Sequence, residues 1–469
     1  MNEVEQGIHS LVDKARLAQE QIASYSQLQV HNMCRSVAWQ VYKDANIAEC
    51  ARTACQETGM GIYEDKLKKH KVKVLGALTD VLHAKTVGLI EEDQDKKIKK
   101  YAKPVGVVGA ITPVTNPTAT PASNAISILA GRNAVIFGPH PRSKKSARVV
   151  CEFMRKGLRK VGAPEDLVQW VEEPTLELSQ ELMHQVDLVV ATGGAGVVKA
   201  AYSSGTPAYG VGAGNAIPIV AEDADIADAA QKICISKTFD NATSCSSENS
   251  VIIQKSKYNA MIDEFKKHGG YLCNPEEKEK LENWMWVPGK KGNIAINPEV
   301  VAVSARKIAA DAGLNVPETT TMLMVECDQP DTPSHWHGEK LSPVISLWKY
   351  HDFEEALDCL IKLTNYAGLG HSCGIYTWNQ QYIDMLAEEM KTSRLVVRQP
   401  MAPANGGNFF NGMPSTTTLG CGTWGGNVTT ENIHWKHFLN ITWVSEPFEP
   451  QKPTEEETWG EFWKEYGED

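Results

Sequence analysis

Val4, Ile8, Leu11, Val12 and Ile22 fall on one side of a helical wheel and predict an amphipathic opening helix. Helical spacing continues to about Val87. Glu91 to Lys103 is charged, with Ile98 and Tyr101 interspersed, and reads as an exposed hairpin or edge strand. From Pro104 the texture changes. Val105 to Ile111 is a short apolar run with glycines, and Asn133–Phe137, Leu167–Val171, Asp187–Ala191 and Ile217–Val220 read as buried strands. Between them lie helical stretches at Thr118–Gly131, Ser143–Val161, Leu176–His184 and Ala195–Ser204. Strands alternating with helices predict an α/β fold with a parallel, doubly wound sheet, the kind that binds dinucleotides at the carboxyl ends of its strands.

A second alternating region follows the helical run Ile226–Lys237, with strands expected at Val251–Ile253, Met322–Val325, Ile345–Trp348, Gly374–Tyr376 and Leu395–Val397. Asn405 to Asn427 is rich in Gly, Asn, Ser and Thr and reads as a long ordered loop, a class of segment that is often functional. Ile441–Ser445 reads as a last strand. The tail from Gln451 is acidic, and Trp459, Phe462, Trp463 and Tyr466 share one helical face, which predicts that the tail docks rather than floats. At 469 residues the chain exceeds one simple core, so two or three domains are expected. We divide it into a cofactor-binding domain (1–90 and 104–236), oligomerisation strands (91–103 and 441–450), a catalytic domain (237–440) and the tail (451–469).

Composition changes this picture little. A net charge of −11 with no long basic run argues against nucleic acid as a partner. No apolar run approaches the length needed to span a bilayer. Eleven cysteines without CxxC pairs form neither a disulfide framework nor a zinc site, so no metal is expected and a reducing cytoplasm is.

Candidate chemistry centres on Thr238–Ser250, which links a helix to a strand and carries Cys245 among small and polar residues. With nothing apolar close in sequence, a thiolate there need not be desolvated. The spacing also suits a buried structural cysteine. The GxGxxG fingerprint is absent. In its place Thr192-Gly193-Gly194-Ala195-Gly196 follows a strand and opens a helix, where glycines let a cofactor approach the backbone. A second cluster, Gly210 to Asn215, precedes a strand.

Taken together these strings resemble the aldehyde dehydrogenase superfamily, and within it the CoA-acylating branch, including the aldehyde dehydrogenase half of bifunctional aldehyde-alcohol dehydrogenases. The resemblance rests on Thr115-Asn116-Pro117-Thr118, Gly138 to Arg142, Ala191 to Gly196, Val198 to Gly205, Gly210 to Asn215, Phe239-Asp240-Asn241, Glu339 to Pro343 and Leu419 to Asn427. It runs from about Val4 to Leu439 and leaves out the tail. It implies a Rossmann-type cofactor domain, an α/β catalytic domain and a small β oligomerisation element, assembled as a homodimer or homotetramer.

The resemblance makes Cys245 the nucleophile that adds to an aldehyde and then carries a thioester. Asn116 and the Cys245 N–H would hold the oxyanion. His371 is a further catalytic candidate. Nicotinamide cofactor contacts are implied for Thr112, Pro113, His140, Arg142, Thr192, Gly193, Gly194, Gly212 and Glu339. Hydrolytic relatives carry a glutamate base where this chain has Val211, so a thiol, coenzyme A, is expected to release the acyl group. NADP is weighed beside NAD, because no acid is left after the Asn133–Phe137 strand and Arg142 could pair with a 2′-phosphate. Thr243, Ser244, Ser246 and Arg398 are expected around the aldehyde, and hydroxyls plus a guanidinium suit an anionic group. The substrate expected first is sulfoacetaldehyde, then succinate semialdehyde, with acetaldehyde if Arg398 is only a surface residue. A non-catalytic assembly scaffold is the reading from another class.

Overall fold

Four helices open the chain: α1 (Glu3–Gln21), α2 (Gln27–Tyr42), α3 (Asp44–Thr58) and α4 (Tyr63–Leu82). The computed structural model describes residues 2–289, 294–328 and 330–468. In it, Asn2 caps α1 by accepting the Glu5 N–H while the Glu5 carboxylate reaches back, a pairing worth about 1 kcal/mol. The apolar stripe of α1 buries Ile8 and Val12, with Ile22 just beyond its end. β1 (Gly88–Asp93) and β2 (Ile98–Pro104) then form the antiparallel hairpin expected of the charged stretch.

The first parallel sheet follows from β3 (Val107–Thr112), α5 (Ala119–Ala130), β4 (Ala134–Pro139), α6 (Lys144–Lys160), β5 (Val168–Trp170), α7 (Leu176–Gln185), β6 (Leu188–Thr192), α8 (Ala195–Tyr202) and β7 (Ala208–Val211). Every residue of β3 and β4 is buried, which is why these strands read as continuous apolar runs. Strand order is β5-β4-β3-β6-β7. The order reverses between β3 and β6, and a crevice opens beyond the carboxyl ends of those two strands.

The second sheet is built from β8 (Ile217–Val220), α9 (Ile226–Thr238), β9 (Ser250–Gln254), α10 (Tyr258–Lys267), β10 (Gly270–Leu272), α11 (Pro275–Met285), a two-stranded flap of β11 (Trp286–Pro288) and β12 (Ile294–Ile296), α12 (Ala305–Asp311), β13 (Met322–Glu326), β14 (Val344–Tyr350), α13 (Phe353–Tyr366), β15 (Cys373–Tyr376), α14 (Gln380–Glu389), β16 (Leu395–Val397) and α15 (Met401–Asn405). Its order is β10-β13-β14-β9-β8-β15-β16, all parallel. β17 (Leu439–Ser445) returns to pair antiparallel with β2, and α16 (Glu455–Tyr466) ends the chain.

Two expectations change. Ile217–Val220 sits inside the second sheet, between β9 and β15, and α9 packs on that sheet through Ala230, Ile233 and Cys234. The break between the sheets therefore falls in residues 212–216 rather than at 236–237. β7, unread in the sequence, ends only a few residues before β8 begins, so the carboxyl edge of the first sheet abuts the amino edge of the second. The tail does form a helix, yet Trp459, Phe462 and Tyr466 are 51%, 53% and 67% exposed and only Gly460 is buried. β17 is a sheet-edge strand, and the chain leaves along it away from either core, so the aromatic face finds no apolar surface of its own chain.

Candidate active site

The seam between the sheets holds a cavity of about 1050 Å³. One wall comes from the carboxyl ends of the first sheet: Thr112 and Pro113 after β3, Gly138 to Pro141 after β4, and Thr192 to Gly194 after β6. The other comes from the amino ends of the second: Thr243 to Ser246 before β9 and Glu339 and Leu341 before β14. Gly212 and Ala213 cross between them, and Asn408, Thr416, Thr417 and Leu419 of the long Gly/Asn-rich loop close one side.

Cys245 lies on this wall, partly exposed. Gly214 must be glycine, because a Cβ there would run into the Cys245 carbonyl and press on His371 Nε2. His371 is wholly buried behind the cysteine, with Nε2 3.2 Å from Cys245 Sγ and Nδ1 2.8 Å from Ser372 Oγ. With the proton on Nδ1, donated to Ser372 Oγ, Nε2 is left to accept from the thiol, and this is the tautomer in which the imidazole can act as a base toward Sγ. Arg394, also buried, donates to the His371 carbonyl (2.9 Å) and the Gly420 carbonyl (2.7 Å), locking the histidine loop to the long loop. Gly370 precedes the histidine at φ 79°, and a Cβ there would meet the Cys421 carbonyl.

The electrostatics correct one expectation. Burial, and then the carboxyl of Glu339, push the Cys245 thiol up to about 12. The flanking hydroxyls do not offset the loss of water around the sulfur. Burial, and then Arg394, push His371 down to about 3. At neutral pH the pair rests as thiol and neutral imidazole. Alkylation of Cys245 by iodoacetamide, followed on its own peptide by mass spectrometry, should therefore climb about tenfold per pH unit from 7 to 10. A plateau below pH 9 would contradict this.

The loop into Cys245 is held under strain. Asp240, Asn241 and Ala242 are consecutive non-glycine residues at φ 52°, 52° and 60°, a conformation costing roughly 1 kcal/mol or more each. Asp240 anchors them. Its Oδ1 accepts the Ile62 N–H (2.7 Å), its N–H donates to Asp65 Oδ2 (2.9 Å), and Lys66 and Lys69 lie 3.3 and 2.6 Å from Oδ2. Burial alone would raise the Asp240 carboxyl, but the two ammonium groups hold it below its usual range.

The nicotinamide cofactor suits the residues present. α8 begins at Gly194 with no side chain capping its first N–H groups. Among the described residues Glu339 Oε1 is buried on the wall without a partner, its carboxyl pushed up to about 8 by burial, and Thr112 Oγ1 and Thr120 Oγ1 are likewise unpartnered. Hydrogen bonds from ribose hydroxyls would satisfy such acceptors.

Of the residues singled out from sequence, Asn116, Thr112, Pro113, His140, Thr192, Gly193, Gly194, Gly212, Glu339, Thr243, Ser244, Cys245 and Ser246 all line the cavity. Two arginines do not. Arg142 is exposed and turns its guanidinium to the Thr58 carbonyl (3.0 Å). Arg398, at φ 52°, stacks 3.9 Å over Trp378 and donates to the Thr377 carbonyl, which takes it away from the aldehyde site. The sequence reading missed Lys68, Lys69 and Lys73 on α4 and Leu176, Ser179 and Gln180 on α7. The α4 set carried a signal: lysines at 66, 69 and 73 fall on the same face as the buried His70, Val74 and Ala77.

Comparison with known proteins agrees with this architecture. A model for the aldehyde dehydrogenase family matches residues 2–272. A sulfoacetaldehyde dehydrogenase of an Acholeplasma species is 56% identical over 458 residues, 98% of this chain and 94% of the relative. An acylating sulfoacetaldehyde dehydrogenase of Bilophila wadsworthia is 55% identical over 456 residues, 97% and 98% of the two chains. Among solved structures, an acetylating aldehyde dehydrogenase of Geobacillus thermoglucosidasius superposes with a TM-score of 0.91 at 32% identity, covering 96% of this chain and 99% of that one. A propionaldehyde dehydrogenase of Rhodopseudomonas palustris, solved with CoA and an acylated cysteine, gives 0.83 at 28% identity over 94% and 97%.

Proposed function

The chain belongs to the aldehyde dehydrogenase family, and we propose that it is a CoA-acylating dehydrogenase that interconverts sulfoacetaldehyde and sulfoacetyl-CoA. The observation that carries this reading is the charge of the cavity wall around the Cys245–His371 pair. Lys68, Lys69 and Lys73 line it beside Glu339; Asp240 offsets Lys69 and burial brings Lys73 down to about 7, so the positive charge there is greatest at Lys68. Such a wall favours an anionic aldehyde and the phosphates of both co-substrates.

As the aldehyde enters, Cys245 Sγ attacks its carbonyl carbon and the thiol proton passes to His371 Nε2. Asn116 Nδ2–H and the Cys245 N–H hold the oxyanion. Bound in the crevice, the oxidised nicotinamide supplies the hydride acceptor. The acyl group is left as a thioester on Cys245. Water lacks the glutamate base that hydrolytic relatives use, because Val211 ends β7 there as a buried apolar side chain. A thiol releases the acyl group instead, and coenzyme A is that thiol. The hydroxyls of Ser244 and Ser246 receive the sulfonate, while Thr243 stands beside them with its hydroxyl proton held by Asp240. The wall from Gly138 to Pro141 carries no carboxylate, so NADP is accepted along with NAD. Copies associate through the sheet β1-β2-β17, where Leu89, Ile441 and Trp443 are exposed, as a homodimer or homotetramer.

The test is turnover of sulfoacetaldehyde, succinate semialdehyde and acetaldehyde with and without CoA, using each nicotinamide cofactor. Sulfoacetaldehyde should lead acetaldehyde in kcat/KM by at least about tenfold, with sustained turnover only when CoA is present, and NAD and NADP should differ by less than about tenfold. Free acid formed at full rate without CoA would refute acylation, and preference for acetaldehyde would refute the anionic substrate.

A further inference from the structure

We infer that Lys69 is a positioning residue for catalysis, fixing the Asn116 amide with its N–H groups toward the oxyanion. Lys69 Nζ donates to Asn116 Oδ1 (2.8 Å), Asp240 Oδ2 (2.6 Å) and Thr243 Oγ1 (2.6 Å). An ammonium has three protons and no lone pair, so these contacts use it fully. It has no donor left for a substrate anion, and its role is exerted through its neighbours.

The consequence for Asn116 is directional. An asparagine amide presents an oxygen on one side and an NH₂ on the other, and nothing intrinsic chooses between them. Facing a pure donor, the oxygen must turn to Lys69. Nδ2 then turns toward the Cys245 loop, where it lies 3.4 Å from the Thr243 carbonyl. A flipped amide would set its NH₂ against the ammonium. The charge on Lys69 also draws density from the amide oxygen, which strengthens the opposite N–H as a donor.

Thr243 closes the arrangement. It accepts from Lys69 and donates to Asp240 Oδ2 (2.7 Å), so one ammonium ties the oxyanion donor, the loop anchor and the residue two before the nucleophile. Lys66 completes the charge beside Asp240, and Gly61 has no room for a Cβ against Asp240 and Lys66.

This inference rests on reading Asn116 as an oxyanion donor, and a double-mutant cycle separates the two. In the full-length enzyme with cofactor, Asn116→Ala and Lys69→Met should each lower single-turnover reduction of the cofactor by about 10²-fold, with KM for the cofactor unchanged within about twofold. Together they should lose little more than Asn116→Ala alone, because Lys69 acts through the amide. Cys245 alkylation, which needs no oxyanion donor, should stay within about twofold of wild type in Lys69→Met. Lys69→Arg, keeping a cation beside Asp240 and a donor for Asn116, should recover most of the rate. Lys69→Gln runs the same cycle if the methionine variant is insoluble. A silent Asn116→Ala would sink the oxyanion reading itself. A costly Asn116→Ala with a multiplicative Lys69 effect, or alkylation slowed in parallel with turnover, would sink the role of Lys69 alone.

Discussion

Cys245→Ser should lower aldehyde-dependent thioester formation by about 10⁴-fold or more, the scale on which covalent catalysts fail when the nucleophile is removed. The hydroxyl is smaller than the thiol and much harder to deprotonate, and His371, pushed down to about 3, is too weak a base to compensate. The burst of reduced cofactor in the absence of CoA should vanish with it. Cofactor binding, followed by fluorescence, should persist, because Thr112, Gly193, Gly194 and Glu339 are untouched. A variant retaining a tenth of wild-type turnover would remove the covalent mechanism.

His371→Ala should cost about 10²–10⁴-fold, the range of general-base assistance. The geometry says which step bears the loss. His371 is wholly buried, behind the cysteine rather than on the cavity wall, and its free nitrogen points at Sγ from 3.2 Å. Single-turnover reduction of cofactor without CoA should therefore slow by nearly the full factor. If that step stays fast and only CoA-dependent release slows, the histidine serves the incoming thiol instead of Cys245.

Much of the frame was legible because local pattern and tertiary role coincide. β3, β4 and β6 are apolar up to their last residues since helices cover both faces, and their runs stand out against the charged hairpin before them. Asn116, Glu339 and Cys245 were found through short strings that stand in fixed order. Lys69 was not, because its meaning comes from packing α4 against a loop 171 residues away. The direction of Arg398 was not legible, because a left-handed backbone and the Trp378 ring set it. The tail's helix was legible but its docking surface was not, because a helical aromatic face says what it would bury and not where that surface lies.

By itself the sequence determined the strand–helix alternation, the cysteine loop and the valine where a water-activating acid would stand, since each is a property of residue type and order. Only the tertiary structure decided that the two sheets meet carboxyl edge to amino edge, that burial pushes the thiol up to about 12, and that the Lys69 ammonium stands 2.8 Å from Asn116 Oδ1. Those depend on distances between segments far apart in the chain, and electrostatic strength in a water-poor seam is set by such distances.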